Sequence, residues 1–253
     1  MNSRVALARR LFAECLGTAL LVTTVVGSGV MATTLSPGDV GLQLLENSVA
    51  TMLALAVLIV VLAPVSGAHF NPVVSLADWW LGRAGRTGIS IRDLGGYVVA
   101  QCAGGISGAV LANLMFDLPA VAWSSRERAG TGVWLGEIVA TAGLVLVIFA
   151  LARAGRGGAV PLAVGGYIGA AYWFTSSTSF ANPAVTLGRA FSDTFAGIAP
   201  ASVPGFVAAQ VVGLVAGVAA LAALYPVGPT RALAAKPPDR STVQTATVGR
   251  AEA

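Results

Sequence analysis

Long apolar segments alternate with short polar connections along most of this chain. Six of the segments contain about 20 residues or more, which is the length that a helix needs to cross the hydrocarbon core of a bilayer. They lie at roughly 9–31, 43–65, 93–115, 131–152, 159–178 and 203–225. The pattern predicts an all-α membrane protein with six transmembrane helices.

Two shorter apolar runs stand apart from these segments. One covers 71–81, between the second and third segments, and the other covers 182–191, between the fifth and sixth. Each contains about ten residues, which is too few to span a bilayer. We expect each run to form a re-entrant half-helix that leaves the membrane on the side from which it entered.

An internal repeat relates the two halves of the chain. Each half has a glutamate in its first span, an Asn-Pro pair at the start of its half-helix, and a glutamine after that pair. The matching residues are Glu14 and Glu137, Asn71 and Asn182, and Gln101 and Gln210. Because each half holds three spans, the halves are inverted relative to each other, and such repeats place a solute path near the midplane of the membrane.

The repeat also sets the predicted domain organisation. Repeat one covers about 9–115 and repeat two about 131–225, within a membrane domain at 9–226. We expect 1–8 to be a short cytoplasmic segment. The polar region 227–253, rich in Pro, Ala and Thr, is predicted to be a disordered cytoplasmic tail.

Basic residues predict the orientation of the chain. Of the 15 Lys and Arg residues, all but three fall before the first segment, between the second and third, between the fourth and fifth, or after the sixth. The three exceptions are Arg126, Arg128 and Arg189. The positive-inside rule therefore predicts that both termini lie in the cytoplasm. We expect a multi-pass protein of the plasma (inner) membrane.

Composition narrows the class of protein further. Hydrophobic residues make up 56% of the chain and charged residues only 10%, whereas about a quarter of a soluble domain is charged. The net charge of +4 is spread between apolar segments, so we expect no nucleic-acid partner. With His69 as the single histidine, we expect no metal, no cofactor and no enzymatic activity.

The two Asn-Pro pairs are signals for the start of a helix. Asn is a good N-cap, and Pro fits the first helical position, where its missing N–H costs nothing. Two such starts that meet in mid-membrane would direct free N–H groups and partial positive charge at the path, which disfavours the entry of cations. The side-chain amides of Asn71 and Asn182 are donors for the oxygen of a passing water or alcohol. Two ordinary loop turns are the alternative, but matching places in an inverted repeat favour paired half-helices.

These features resemble the aquaporin (major intrinsic protein) family over about residues 9–225. The resemblance is carried by the residues of two boxes, Asn71-Pro72-Val73 and Asn182-Pro183-Ala184, together with the repeated glutamates and glutamines. It implies the hourglass fold of six tilted helices and two half-helices. It also implies a homotetramer in membrane lipid, with one pore per subunit for passive flow of water or small neutral solutes.

The resemblance further implies that several residues support the half-helix loops, namely Glu14, Glu137, His69, Gln101 and Gln210. Two other interpretations stay open. Carboxylates inside membrane spans also suit a proton relay, so an ion-coupled secondary transporter that uses Glu14 and Glu137 is the alternative function. A non-conducting scaffold of the same fold is a third.

The sequence departs from the family at the predicted constriction. Val185 stands three residues after Asn182, where members usually have Arg, and Val73 replaces the usual Ala of the first box. Arg189 follows one helical turn later, about 6 Å along the helix, so we do not expect it to replace the missing Arg. Val73 is expected to crowd the centre of the path.

Counting from the two boxes predicts which residues form this constriction. They are Thr51, Ala170, Ser179 and Val185, with Gly169, Tyr172 and Trp173 as alternatives to Ala170. The four are small and uncharged, which predicts a wide pore. Candidate solutes are water, glycerol-like polyols, urea and undissociated metalloid hydroxides such as arsenite. In this respect the chain resembles a bacterial aquaglyceroporin-like subgroup that lacks the constriction Arg.

Overall fold

Eight α-helices make up most of the chain that the structure describes, which is residues 5–83, 85 and 87–226 of a computed structural model. They are α1 (Leu7–Leu35), α2 (Val40–Ser66), α3 (Pro72–Gly82), α4 (Ile91–Met115), α5 (Thr131–Arg153), α6 (Val160–Phe174), α7 (Pro183–Arg189) and α8 (Val203–Leu224). The tail predicted to be disordered, 227–253, lies outside the described residues.

Six long helices and two short ones confirm the predicted fold class. Of the described helices, five are long and apolar enough to cross a membrane, namely Leu7–Leu35, Val40–Ser66, Ile91–Met115, Thr131–Arg153 and Pro200–Leu224. The sixth, α6, has 15 residues and follows a 3₁₀ turn at Gly157–Ala159. It ends at Phe174 rather than at 178 as predicted, because the next residues turn into a loop in which Thr178 has a φ of 59°.

The packing of the helices follows the repeat. In the first half α1 packs against α2 and α4, and in the second half α5 packs against α6 and α8. The two halves meet where α2 packs against α6. Each half-helix also contacts the last helix of the opposite half, α7 on α4 and α3 on α8. The half-helices are therefore held at the interface between the repeats.

Glycines allow the closest of these approaches. A Cβ atom added to Gly104 or Gly108 of α4 would collide with the backbone of α1, at Cys15 or Ala19. The matching glycines of α8, Gly213 and Gly217, face the backbone of α5 in the same way. Small residues four positions apart let membrane helices pack backbone to backbone.

One end of the bundle, which we name the proximal end, contains the start of α1 and the end of α8. Arg10 Nη2 at the start of α1 pairs with Asp93 Oδ2 at the start of α4 at 3.0 Å. Arg153 Nη1 at the end of α5 donates to the carbonyl of Leu221 near the end of α8 at 3.4 Å.

The opposite end, which we name the distal end, contains the α1–α2 connection, the α4–α5 connection and the segment 190–202. The N–H of Ser124 in the α4–α5 connection donates to the carbonyl of Ala190 at 3.0 Å. The N–H of Arg128 donates to Ser202 Oγ at 3.0 Å, next to the start of α8. The segment that follows α7 is thereby fixed against the α4–α5 connection.

Candidate functional site

Asn71 and Asn182 cap the two half-helices. Asn71 Oδ1 accepts from the N–H of Val73 at 2.9 Å, and Asn182 Oδ1 accepts from the N–H groups of Ala184 and Val185 at 3.0 and 3.3 Å. Both asparagines have extended backbone, as an N-cap residue requires. Pro72 and Pro183 occupy the first helical positions that follow.

The same two asparagines connect the halves of the molecule. Asn71 Nδ2 donates to the carbonyl of Ala181 at 2.7 Å, and Asn182 Nδ2 donates to the carbonyl of Phe70 at 2.8 Å. The two half-helix starts therefore touch, as the inverted repeat predicts. Each Nδ2 carries two hydrogens, so each amide keeps one N–H beyond the bond it makes across the repeat.

The loops before the half-helices have an unusual backbone conformation. Ala68 and Phe70 in the first loop have φ values of 52° and 49°, and Ser179 and Ala181 at the matching positions have 50° and 48°. Residues other than glycine rarely adopt this left-handed region, and each costs of order 1–3 kcal/mol. The surrounding structure must compensate for this strain.

In the first half, compensation comes from Glu14, which is fully buried. Its Oε1 accepts from the N–H of His69 at 3.0 Å and from Ser66 Oγ at 2.6 Å. Its Oε2 accepts from the N–H of Phe70 at 2.6 Å and from Gln101 Nε2 at 2.8 Å. One carboxylate thus fixes the backbone immediately before Asn71.

Glu137 does the same in the second half and is also fully buried. Its Oε1 accepts from the N–H of Phe180 at 2.8 Å. Its Oε2 accepts from the N–H of Ala181 at 2.9 Å and from Gln210 Nε2 at 2.7 Å. The two carboxylates accept from the same two loop N–H groups and the same glutamine in each repeat, while the bond from Ser66 is made by Glu14 alone.

The two glutamines also reach the half-helices. Gln101 Nε2 donates to Ser75 Oγ on α3 at 2.9 Å, and Gln210 Nε2 donates to Thr186 Oγ1 on α7 at 2.9 Å. His69 stands near the first of these bonds, because its Nδ1 lies 3.1 Å from Ser75 Oγ. All five residues predicted to support the loops therefore gather around the two half-helices.

An elongated cavity of about 400 Å³ runs past the touching half-helix starts. His69 and Asp78 line it toward the proximal end, and Asn71 and Asn182 line its middle. Most of the remaining wall is aliphatic, with Leu21, Val25, Leu55, Ile59, Leu144, Ile148, Val164 and Ile168. An apolar cavity with a few convergent polar groups is typical of a site for small molecules.

Several of the predicted box residues do not reach this cavity. Val73 is buried against Val145 and Leu214, between α3 and the second half of the molecule. The prediction that Val73 crowds the path is therefore corrected: its side chain packs away from the cavity, in the hydrophobic contact between α3 and α8. Pro72, Pro183 and Ala184 are likewise outside the cavity wall.

Three of the four predicted constriction residues line the distal part of the cavity, namely Thr51, Ser179 and Val185. Ala170 does not, because it lies exposed on the outer face of α6. Tyr172 takes its place and donates its hydroxyl to Thr51 Oγ1 at 3.3 Å. The inward face of α6 repeats every four residues, at 164, 168 and 172, and this helical spacing was the signal that a count back from Asn182 missed.

Arg189 also lines the distal cavity, although the sequence led us to expect an uncharged wall there. Its side chain is 2% exposed, and its guanidinium carbon lies 3.4 Å from the centroid of the Phe180 ring. Side chains on a helix lean toward its N-terminus. A long arginine at the end of α7 can therefore reach back along the turn that separates it from Val185, which corrects our expectation.

A second arginine lies close to Phe180 at the distal end. Arg128 Nε donates to the carbonyl of Gly197 at 2.9 Å, and its guanidinium carbon lies 5.1 Å from the Phe180 ring centroid. Burial, together with the positive charge of Arg126, lowers the pKa of Arg128 to about 10. The side chain therefore stays protonated at neutral pH and fixes the segment that follows α7.

Comparison with known proteins finds a matching family and similar sequences for this chain. The sequence profile of the family described as "Major intrinsic protein" matches residues 1–179. Aquaglyceroporin AqpS of Rhizobium meliloti (strain 1021) is 54% identical over 213 residues, which cover 84% of this chain and 88% of that protein. A glycerol uptake facilitator protein of Pseudomonas aeruginosa is 31% identical over 224 residues, covering 76% of this chain and 77% of that one.

A solved structure shares the fold. The X-ray structure of the aquaglyceroporin from Plasmodium falciparum aligns with a TM-score of 0.63 at 24% sequence identity. The alignment covers 85% of this chain and 93% of the other. The arrangement of six long helices around two half-helices is thus common to both.

Proposed function

This chain belongs to the major intrinsic protein family, and we propose that it is a passive membrane channel for water and small uncharged solutes such as glycerol. The relatives described as an aquaglyceroporin and a glycerol uptake facilitator support this class of solute. The observation that carries the proposal is the cavity beside Asn71 and Asn182, whose wall is mostly aliphatic. Membership of this family of channels also agrees with the expectation that the chain is not an enzyme.

Passage of a solute through the cavity requires only an exchange of hydrogen bonds. A solute that enters the cavity gives up part of its hydration, and its oxygen atoms accept from the remaining amide hydrogens of Asn71 and Asn182. The cavity wall also offers aliphatic side chains such as Leu21 and Val25, which suit the carbon side of a polyol. An uncharged solute passes along such a wall at low cost, whereas an ion would lose its hydration without replacement.

Nothing in the site supports the ion-coupled alternative. Glu14 and Glu137 are outside the cavity wall, and both oxygens of each carboxylate accept hydrogen bonds from loop and glutamine donors. Protonation of either would break bonds that hold a half-helix loop. We therefore assign these residues to loop support.

We propose that Thr51, Tyr172, Ser179 and Val185 form the constriction. Thr51, Ser179 and Val185 have small side chains, and the Tyr172 hydroxyl points at Thr51. This arrangement leaves more width than an aromatic residue at position 51 would. It favours solutes larger than water, with urea and arsenite as further candidates beside glycerol.

The orientation and assembly of the chain are also proposals. The protein is an integral membrane protein, and the distribution of Lys and Arg supports cytoplasmic termini in the plasma membrane. The outward faces of the helices carry large apolar side chains such as Val57, Val60 and Val61. Such faces suit lipid, and they also suit neighbouring subunits in a homotetramer.

Stopped-flow light scattering on proteoliposomes tests the proposed function. Gradients of glycerol, urea and arsenite are applied in turn, together with an impermeant solute that reports water flow. We expect faster equilibration of water and of glycerol than in empty liposomes. No acceleration for any solute larger than water would refute the wide channel.

A variant with a narrowed constriction tests whether solute passes through this cavity. Thr51→Phe removes the acceptor of Tyr172 and puts a ring into the cavity, so glycerol permeability should fall about tenfold or more, while water is less affected. The matched control is Thr34→Phe, because Thr34 is exposed at the distal end of α1. Equal glycerol flux in both variants would mean that solute does not pass Thr51.

A further inference from the structure

We propose that Asp78 forms a solute-binding subsite at the proximal mouth of the cavity, which accepts hydrogen bonds from uncharged solutes and repels anions. The inference rests on the proposed channel function and adds a specificity determinant to it. Asp78 lies on α3, seven residues after Asn71, and it is the only carboxylate in the cavity wall among the residues described. Its equivalent in the second half is Arg189, seven residues after Asn182. The inverted repeat therefore puts charges of opposite sign on the wall at the two ends of the path.

The Asp78 carboxylate is held by the segment that follows α3. Its Oδ2 accepts from the N–H of Ile89 at 2.8 Å, and the Ile89 side chain is buried against Leu94 and Tyr97. Gly88 lies against the same turn of α3, because a Cβ atom added there would collide with the carbonyl of Asp78. The carboxylate is therefore in place before a solute arrives, and little conformational entropy is lost when one binds.

The second oxygen of this carboxylate, Oδ1, is open to the cavity. It accepts from no donor among the described residues, and no cationic side chain that the structure describes lies within ion-pair distance of Asp78. Asp78 is only partly buried and lines the cavity, so Oδ1 is not enclosed by protein. A carboxylate oxygen has lone pairs for about two hydrogen bonds, so water or a solute in the mouth supplies the donors.

Thr87 brings a hydroxyl group to the same mouth. It lines the cavity and is exposed, and its N–H donates to the carbonyl of Gly82 at the end of α3 at 3.1 Å. Part of the remaining proximal wall comes from the second half of the chain, with Phe149, Ala152 and Pro161. The mouth thus combines a carboxylate and a hydroxyl with an apolar surface.

These groups define the solute that fits. The amides of Asn71 and Asn182 in the middle of the cavity donate hydrogen bonds, whereas the carboxylate at the mouth only accepts them. A molecule with several O–H or N–H donors, such as a polyol or urea, exchanges water for Asp78 as it enters, and the new bond is charge-assisted. A molecule of similar size without such donors gains no bond from Asp78.

The same charge gives the mouth a role in the exclusion of anions. The starts of the two half-helices direct partial positive charge at the middle of the cavity, which disfavours cations but attracts anions. A carboxylate on the wall ahead of that region repels an anion, and the repulsion is strong at short range in an apolar surrounding. Asp78 therefore admits the undissociated form of a small weak acid and rejects its ionised form.

Two substitutions separate the charge from the bond that holds the segment after α3. Asp78→Asn keeps an oxygen that accepts from Ile89, but it loses the charge and puts an NH₂ group where Oδ1 meets the cavity. Asp78→Glu keeps the charge. The control is Glu127→Gln, which removes a carboxylate that is exposed at the distal end and outside the cavity wall.

The first readout is the ratio of glycerol to water permeability in proteoliposomes. The second is the entry of Cl⁻ into proteoliposomes that contain a chloride-quenched dye, with K⁺ and valinomycin present to balance the charge. In Asp78→Asn we expect the ratio to fall about fivefold, the size of effect expected when a charge-assisted hydrogen bond is exchanged for a neutral one. We also expect Cl⁻ to enter through Asp78→Asn but not through Asp78→Glu. Glu127→Gln should keep the ratio of the unchanged protein and admit no Cl⁻.

The outcomes distinguish this inference from the proposed function. An Asp78→Asn protein that keeps the ratio, that still excludes Cl⁻, or that loses water and glycerol conduction together would overturn the subsite and leave the channel standing. An unmodified protein that conducts neither water nor glycerol would overturn the proposed function, and the inference with it.

Discussion

Glu14 and Glu137 are carboxylates within the membrane-spanning bundle, and among the described residues neither has a cationic side chain within ion-pair distance. Each accepts hydrogen bonds from two consecutive backbone N–H groups of a half-helix loop. One of those two residues, Phe70 or Ala181, has a left-handed backbone. The carboxylates thus stabilise a strained backbone that would otherwise leave its donors unpaired in an apolar surrounding.

Substitution of Glu137 by Gln tests this role. The glutamine side chain puts an NH₂ group where one carboxylate oxygen accepts, so at least one buried donor loses its acceptor. We expect the free energy of unfolding in detergent to fall by about 2 kcal/mol, with slower glycerol flux. The matched control is Glu127→Gln, because Glu127 is exposed. Equal thermal unfolding of both variants would contradict the structural role of the carboxylate.

Sequence reasoning reached the paired residues because they repeat. Asn71 and Asn182 could be found from two matching Asn-Pro pairs, and the spacing then led to the glutamates and glutamines. It gave Tyr172 only as an alternative to Ala170, and it did not place Arg189 in the cavity wall. An error of two residues in the count exchanges a position that faces the cavity for one on the outer face of the helix, as with Ala170 and Tyr172. The spacing of residues along the sequence also does not show how far a long side chain such as Arg189 extends back along its helix.

At the scale of helices, the glycines of α4 and α8 determine how closely each repeat can pack. Gly104 and Gly108 lie against α1, and Gly213 and Gly217 lie against α5. In lipid the hydrophobic effect does not drive helices together, so close backbone contact supplies much of the packing energy. The same spacing in both repeats indicates that both halves rely on it.

Gly217→Val tests the α5–α8 contact. A Cβ atom at 217 would lie 2.6 Å from the carbonyl of Ala142 and 2.9 Å from the Cβ of Val145. We expect the larger side chain to force the helices apart and to cost about 1–3 kcal/mol, seen as a lower midpoint of thermal unfolding in detergent. Gly166→Val serves as control, since a Cβ at 166 would meet nothing within 4 Å. A midpoint as high as that of the control would contradict the close packing.

The elements could be predicted from hydropathy and length, because both are set by the thickness of a bilayer. The predicted end of α6 at 178 was wrong: the apolar pattern stops at Phe174, and the polar run Thr-Ser-Ser-Thr at 175–178 was the signal for the earlier end. The left-handed backbone of Ala68, Phe70, Ser179 and Ala181 could not be predicted, because none of the four is a glycine, the residue that usually adopts this conformation. There the tertiary hydrogen bonds, rather than local preference, decide the conformation.

At the scale of the whole molecule, two inverted halves enclose one path, and their exposed ends differ in charge. In the described residues the proximal end carries six arginines, namely Arg9, Arg10, Arg83, Arg92, Arg153 and Arg156. The distal end carries Arg126 and Arg128, while Arg189 is turned into the cavity. This asymmetry supports a single orientation of the chain in the membrane.

Cysteine labelling tests that orientation. In a Cys15→Ser, Cys102→Ser background, Glu127→Cys places a thiol at the distal end and Arg156→Cys places one at the proximal end. We expect a membrane-impermeant maleimide to label Glu127→Cys on intact cells and Arg156→Cys only after permeabilisation. The reverse pattern would contradict cytoplasmic termini.

The claim that most depends on the whole structure is that solute moves passively through one chain's cavity. It is tested by the uptake of labelled glycerol into proteoliposomes, with and without an imposed proton gradient. We predict that the internal concentration rises to the external one and stops there, at the same rate in both conditions. Accumulation above the external concentration that an ionophore abolishes would contradict it, because a channel can only dissipate a gradient.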